Sequence, residues 1–161
     1  MFRGTVKLYG EGETDKGQYE KIREVDFICG ASLMIKPEVV KDIGLLEERY
    51  FMYFDDPDWC ITAKKKGYSV LIVPKSIIWH KGAASLKKLS GVGEYYAIRN
   101  RFWFMKKNAN YLQLIIFFGY FIFFLSYLKL IRYFLRKDKW LLIKNYLRGL
   151  KDGIFRNGLK E

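Results

Sequence analysis

Three carboxylates, Asp55, Asp56 and Asp58, fall within four positions of the run Phe51-Met52-Tyr53-Phe54-Asp55-Asp56-Pro57-Asp58-Trp59-Cys60. A carboxylate held in one direction beside Tyr53, Phe54 and Trp59, its pKa tuned by apolar neighbours, suits general-base chemistry on a hydroxyl. Acidic residues at a helix start have a plainer use as well. Pro57 suits the first helical position, and Asp56 the N-cap, where a carboxylate accepts from a free backbone N–H. Asp58 then complements the positive helix end, and Asp55 faces water. The spacing alone leaves both uses open.

His80 is the only histidine. A lone histidine after a strand is usually structural, but strand ends are also where α/β proteins gather ligands. Gly82, Ala83 and Ser85, just beyond it, form a small loop of a kind that holds phosphate, without the spacing of a P-loop. Arg99 and Asn100 put polar groups beside an apolar helix face. A solvated face is the usual explanation, and an Arg fork on phosphate oxygens is the other.

These residues need elements to position them. Residues 1–24 are polar and carry turn signals at Gly10-Glu11-Gly12-Glu13 and Asp15-Lys16-Gly17-Gln18. Val25 to Ile35 reads as a buried strand whose small centre, Gly30-Ala31-Ser32, either marks a bulge or admits a close-approaching backbone or ligand. Pro37 to Ile43 fits a short helix stopped by Gly44. The helix opened by the carboxylates runs through Thr62 to Lys66 and stops at Gly67. Tyr68 to Val73 and Ser76 to Trp79 are short β-like runs separated by Pro74-Lys75. Glu94 to Lys107 is a helix with Tyr95, Ile98, Phe102 and Met105 on one face.

Charge divides the chain. Residues 1–90 carry 15 Lys/Arg against 13 Asp/Glu, and residues 91–161 carry 14 against 4, within a formal net charge of +12. A near-neutral globular part is therefore followed by a basic part that meets something anionic. Zinc spacing and RNA-binding aromatic motifs are both missing, which argues against nucleic acid. Cys29 and Cys60 lie in apolar surroundings and are expected to be free thiols in a reducing compartment. Met1-Phe2-Arg3-Gly4 leads into polar sequence, which is not the pattern of a secretory leader.

Tyr111 to Leu128 carries no charge and as a helix spans about 27 Å, just short of a ~30 Å hydrocarbon core. The more basic C-terminal flank belongs in the cytoplasm by the positive-inside rule. A single span then places residues 1–105 outside, against the reading of the thiols and the N-terminus. A shallow or re-entrant helix on the cytoplasmic face of the cell membrane avoids that conflict. Trp140 to Lys151 sets Trp140, Ile143, Leu147 and Leu150 on one face and Lys144, Arg148 and Lys151, with Lys137, on another. That is the pattern of an interfacial helix on anionic lipid, or of a surface helix on a protein core.

Taken in order, these pieces resemble the family 2 inverting glycosyltransferases, especially rhamnosyltransferase-like members. The pattern runs through Gly12-Glu13, Asp15-Lys16-Gly17-Gln18, Asp26 to Ile35, Val39 through Ile43-Gly44-Leu45, Phe51 to Cys60 and Lys66-Gly67-Tyr68. Val73-Pro74, His80-Lys81-Gly82 and Tyr95-Tyr96-Ala97-Ile98-Arg99-Asn100 complete it, over about residues 10–107. The resemblance implies an α/β GT-A fold, a nucleotide-diphosphate sugar donor, a saccharide or lipid-linked acceptor and a divalent metal (Mg or Mn). It makes Asp56 the base that deprotonates the acceptor, Asp55 its neighbour where the family usually has Glu, and His80 a metal ligand. Gly30, Ala31, Trp79, Lys81, Tyr95, Arg99 and Asn100 are the expected substrate- or phosphate-binding positions. The family's nucleotide-binding half, with its Asp-x-Asp motif, precedes the matched region; Asp56-Pro57-Asp58 has that spelling but occupies the base position.

The expectation is therefore a C-terminal, acceptor-side part of a GT-A domain over 1–108 and membrane-associated helices over 109–161. It is a truncated form in need of an N-terminal half, inactive alone, from cell-surface polysaccharide or glycolipid synthesis. The alternative is a non-enzymatic basic membrane-binding protein or a subunit of a split transferase.

Overall fold

The computed structural model describes residues 4–81 and 91–156. They form two compact units, one of residues 6–48 and 55–81, the other of residues 4–5, 49–54 and 91–156.

The first unit is built around α2 (Asp55–Lys65). Its buried Trp59, Cys60 and Ala63, with Val70, form a core against which Val25, Phe27, Ile28, Ile35, Val39, Ile43, Leu46 and Tyr68 pack. The α1 helix (Pro37–Ile43) starts on its proline and stops where Gly44 takes φ 79°. The carbonyl of Gly44 then accepts the indole N–H of Trp59 at 2.9 Å. Gly67, at φ 90°, ends the α2 turn as expected. The β content is small: β1 (Arg23–Glu24) pairs antiparallel with β2 (Leu71–Ile72), Arg23 opposite Ile72. Two features differ from the sequence reading. Val25 to Ile35 does not continue as one strand, because Gly30–Ser32 closes a 3-10 turn. Ser76 to Trp79 is exposed and has no regular secondary structure.

The second unit is helical: α3 (Val92–Asn108), α4 (Tyr111–Tyr120), a π-turn (Phe121–Leu125), α5 (Ser126–Phe134) and α6 (Lys139–Phe155). A capping box opens α4, with the Asn110 side chain accepting from Gln113 N–H and Gln113 Oε1 from Asn110 N–H. Phe102 of α3 stacks edge-on against Phe117 and Phe121, and Lys129 pairs with Glu94. The α4–α5 rod therefore runs antiparallel to α3. The α6 helix runs parallel to it, at a spacing set by two glycines. A Cβ on Gly149 would meet Tyr95 O at 2.7 Å, and one on Gly153 would meet Phe102 Cβ at 3.0 Å. The open end of α6 is sealed by Trp103 Nε1, which donates to Arg156 O at 2.9 Å, and by Lys106 Nζ, which donates to Gly153 O at 2.8 Å.

The sequence boundary at 108 runs between α3 and α4. In the structure α3 shares a unit with α4–α6, because its Ile98, Phe102 and Met105 stripe is the buried core of the bundle.

Candidate functional site

The carboxylates sit differently from a simple cap. The helix begins at Asp55, so Asp55 and Asp56 lie in its first turn and Pro57 follows them inside. Asp56 is therefore not the N-cap. Its carboxylate reaches across the unit and accepts the backbone N–H of Gly30 at 2.7 Å. This explains the small residue at 30. A Cβ there would meet Asp56 Oδ1 at 2.6 Å, so the close approach expected at this position is made by the carboxylate. Asp58 is buried, at 2% exposure, while Asp55 and Asp56 are half-buried.

The electrostatics favour a base. Burial raises the Asp56 carboxyl above its ordinary range; the Gly30 hydrogen bond lowers it, and the neighbouring Asp55 raises it again. A carboxylate with a raised pKa, directed by one hydrogen bond and flanked by a second carboxylate, is a stronger proton acceptor than a solvated aspartate.

The residues ahead of the carboxylates have an uncommon backbone. Phe51, Tyr53 and Phe54 have φ of 64°, 63° and 70°, a region that non-glycine residues rarely adopt. Met52 N–H donates to Tyr50 O at 2.8 Å, closing a γ-turn on Phe51 in its strained form.

Arg99 and Asn100 occupy the same unit as this turn, buried in α3 at 9% and 0% exposure. The expected solvated face is thus corrected: both side chains serve the turn. The Asn100 amide donates to the carbonyls of Tyr50, Met52 and Tyr53 at 2.8, 2.6 and 3.1 Å. Arg99 Nη2 donates to Arg49 O and Tyr50 O, and its Nε to Asn100 Oδ1. Tyr95, a third candidate on α3, donates its hydroxyl to Asp152 Oδ2 at 2.7 Å. A sharp turn into the helix is what the sequence suggests here, but its positive φ values carry no sequence signal, since aromatic residues are poor indicators of them.

Of the other candidates, Gly30 and Ala31 lie on the 3-10 turn beside Asp56, and both are exposed. Trp79 is 97% exposed, and His80 and Lys81 are exposed on an irregular segment. Gly82, Ala83 and Ser85 lie outside the described residues. Among the described residues no group of three His, Cys, Asp or Glu side chains is arranged to hold a metal ion. The donor set around His80 therefore does not by itself fit a hard divalent cation, which asks for several oxygen ligands. Cys29 and Cys60 are free thiols, Cys60 buried.

One helix in the described residues, Tyr111–Phe134, is long and apolar enough to cross a membrane. Its 24 residues measure about 36 Å, longer than the uncharged run alone. Tyr111, Leu112, Ile115, Phe123, Tyr127 and Phe134 are exposed along it.

No family model matches the chain, and no solved structure matches it. Two known proteins are similar to parts of it. The dTDP-rhamnosyl transferase RfbF of Shigella flexneri is 28% identical over 83 residues, 47% of this chain and 28% of that protein. The low-salt glycan biosynthesis hexosyltransferase Agl10 of Haloferax volcanii is 30% identical over 54 residues, 34% of this chain and 18% of that protein. The matches thus cover little more than a quarter of one relative and less than a fifth of the other. They relate the chain to glycosyltransferases.

Proposed function

We propose that this chain is the acceptor-side part of an inverting, family 2-type glycosyltransferase with a partial GT-A fold. Asp56 is its base. The acceptor hydroxyl gives its proton to the Asp56 carboxylate while its oxygen attacks the anomeric carbon of a nucleotide-diphosphate sugar. The new C–O bond forms on the face opposite the departing diphosphate, which takes the bonding electrons. The observation that carries the reading is the Asp56 carboxylate itself, half-buried, held by Gly30 N–H and raised in pKa beside Asp55. The similarity to a rhamnosyl and a hexosyl transferase supports a sugar donor and a saccharide acceptor.

Donor diphosphate, a divalent metal and most of its ligands are assigned to polypeptide outside these 161 residues, and no step is derived through the metal. Transfer needs donor, acceptor and base aligned to within about 1 Å. The 161-residue chain alone is therefore expected to give no transfer from nucleotide sugars.

The second reading, membrane association, has its own support. The outer side of Tyr111–Phe134 is apolar and exposed, while Phe117 and Phe121 on the other side are fully buried in the bundle. A rod packed along one side presents only a stripe to lipid, which favours shallow insertion over a free-standing span. Arg132, Lys137 and Lys139 at its C-terminal end suit an anionic, cytoplasmic leaflet, where the acceptor is lipid-linked or nascent polysaccharide.

The test of the first reading is a chimera in which residues 10–107 replace the matching stretch of a full-length relative. Turnover in the chimera that disappears with Asp56→Asn supports the base. Turnover kept after that substitution refutes it. Binding of the 161-residue chain to anionic vesicles, without any effect of the acidic stretch on transfer in the chimera, leaves the non-enzymatic membrane protein as the better account.

A further inference from the structure

We infer that Phe51, stacked on Tyr96, is a platform on which this protein holds a pyranose ring of its saccharide acceptor. The inference rests on the reading of the chain as a glycosyltransferase and names where a sugar is bound. Every residue it uses lies in the helical unit, which holds residues 49–54 and 91–156.

Phe51 is 68% exposed and Tyr53 41% exposed. Both take positive φ, where glycine would cost least. Such a backbone persists only where its surroundings over-determine it, and it gathers at ligand clamps. Here the surroundings are explicit. The Asn100 amide donates to three carbonyls of the turn, and Arg99 Nη2 to two. Arg99 is itself stacked over the Trp103 ring at 4.1 Å and the Tyr96 ring at 4.6 Å. The Phe51 ring rests on Tyr96, with centroids 4.9 Å apart and planes 35° from parallel. Trp103, Arg99, Tyr96 and Phe51 thus form one continuous stack, buried at the tryptophan and open to water at the phenylalanine.

A turn made only to join two elements needs neither aromatic residues nor five such bonds. An immobile aromatic ring open to water suits a sugar. The C–H face of a pyranose lies flat on such a ring while its hydroxyls turn outward, and a rigid platform spares the ordering cost of binding. Lipid, the other partner of exposed aromatics, meets a different side of α3. Phe102 faces Phe117 and Phe121 of the α4–α5 rod, and Glu94 pairs with Lys129 there. Tyr96 and Asn100, which carry the turn, each stand two positions from one of these, about 200° round the helix.

The test uses the 161-residue chain in micelles of a non-glycosidic detergent. It reads binding, not turnover, so failure of the Asp56 base reading and failure of this one are separable. The probes are methyl pyranosides and the di- and trisaccharides built from them, titrated while the Phe51 and Tyr96 ring protons are followed by NMR. Both rings should shift and saturate, and saturation of the aromatic protons should pass to the C–H protons of one sugar face. Phe51→Ala should weaken binding by about tenfold, as loss of an aromatic stacking partner predicts. Phe51→Trp should restore it, and Asp56→Asn should bind as the wild type does. Hydrogen exchange in α3 and α6 reports whether the bundle is intact. Should Phe51→Ala disturb it, Phe51→Leu decides, because it keeps apolar bulk and loses the ring.

A panel in which no saccharide shifts either ring overturns the inference, as does undiminished binding by a ring-less variant with an intact bundle. A spin-labelled lipid in the micelle that broadens the Phe51 signals, with no response to sugar, overturns it too and assigns the ring to the lipid face.

Discussion

The start of α2 and the segment 76–81 belong to the same unit, yet they are built in opposite ways. Asp56 is half-buried, bonded to a backbone amide 26 residues away and entered through a turn with three positive-φ residues. Trp79 and His80 stand exposed on irregular chain. The sequence resemblance gives Asp56 and His80 comparable roles, but only Asp56 is preorganised by this chain's own residues. A preorganised group has its orientation cost met during folding. An exposed one acquires its geometry from whatever it meets. The difference teaches that the Asp56 carboxylate is held in place by this chain's own residues, whereas any metal site at His80 has to be completed by other ligands.

The largest expected effect breaks or upholds the first half of that contrast. In the chimera described above, Asp56→Asn should lower turnover by on the order of 10²–10⁴-fold, the usual worth of a general base. Steady-state assays with a nucleotide sugar donor measure it. Asp58→Asn is the companion: Asp58 is buried, so its substitution should lower the melting temperature more than it changes chemistry in molecules that remain folded.

A smaller effect is expected at Gly30→Ala. The added Cβ meets the end of a movable side chain at 2.6 Å, so the Asp56 carboxylate shifts rather than the backbone. The fold should survive with little loss of stability. A displacement of about 1 Å can cost up to about 100-fold in rate, and turnover in the chimera should fall within that range at nearly constant melting temperature. A large stability loss with unchanged turnover would show that the contact is mere packing.

Parts of this arrangement were legible in the sequence for local reasons. Pro37 and Gly44 bracket α1, Gly67 ends the turn after α2, and the Ile98–Phe102–Met105 stripe forecasts the buried face of α3. What escaped is what depends on distant partners. The strand expected over Val25–Ile35 is broken by the 3-10 turn at Gly30, which accommodates a carboxylate from α2. Asp55 joins the helix ahead of Pro57, two residues earlier than proline rules suggest. Phe51, Tyr53 and Phe54 contradict every propensity for positive φ, and the buried Arg99 and Asn100 that hold them read as surface groups. Gly149 and Gly153 did leave a signal, as glycines inside a helical pattern, and the close α3–α6 approach is their reason.

The same carboxylate makes a pH prediction whose sign opposes the usual one for acids. Burial raises the folded-state pKa of Asp56 above its unfolded value. The folded protein thus binds this proton more tightly than the unfolded chain, and the associated stability is fully present below the ordinary aspartate pKa. It is lost as pH rises through the raised folded value. Asp56→Asn removes the ionisation while its side-chain carbonyl can still accept from Gly30 N–H. The variant should match the wild type at low pH and become the more stable of the two as pH rises past that window, as chemical denaturation from acid to neutral pH would measure. Wild-type stability that instead rises relative to the variant over this range would mean the carboxylate is stabilised by its surroundings, against the account of a strong base.

The smallest effects belong to the other side of the comparison. Trp79 is 97% exposed and His80 is exposed on the same segment, so neither buries enough surface to matter to this chain's folding. Substitution away from buried features usually changes stability by less than about 0.5 kcal/mol. Trp79→Ala and His80→Ala in the 161-residue chain should both stay inside that limit by denaturant titration, with no change in far-ultraviolet circular dichroism. In the chimera, where the rest of a transferase is supplied, the same two substitutions should matter more. A residue that is nearly neutral in its own chain and costly in the assembled enzyme is one whose contacts come from outside. If Trp79→Ala destabilises the isolated chain by more than about 1 kcal/mol, a value reserved for groups with real packing, the segment is anchored within this chain. The contrast between a built site and an unfinished one then fails.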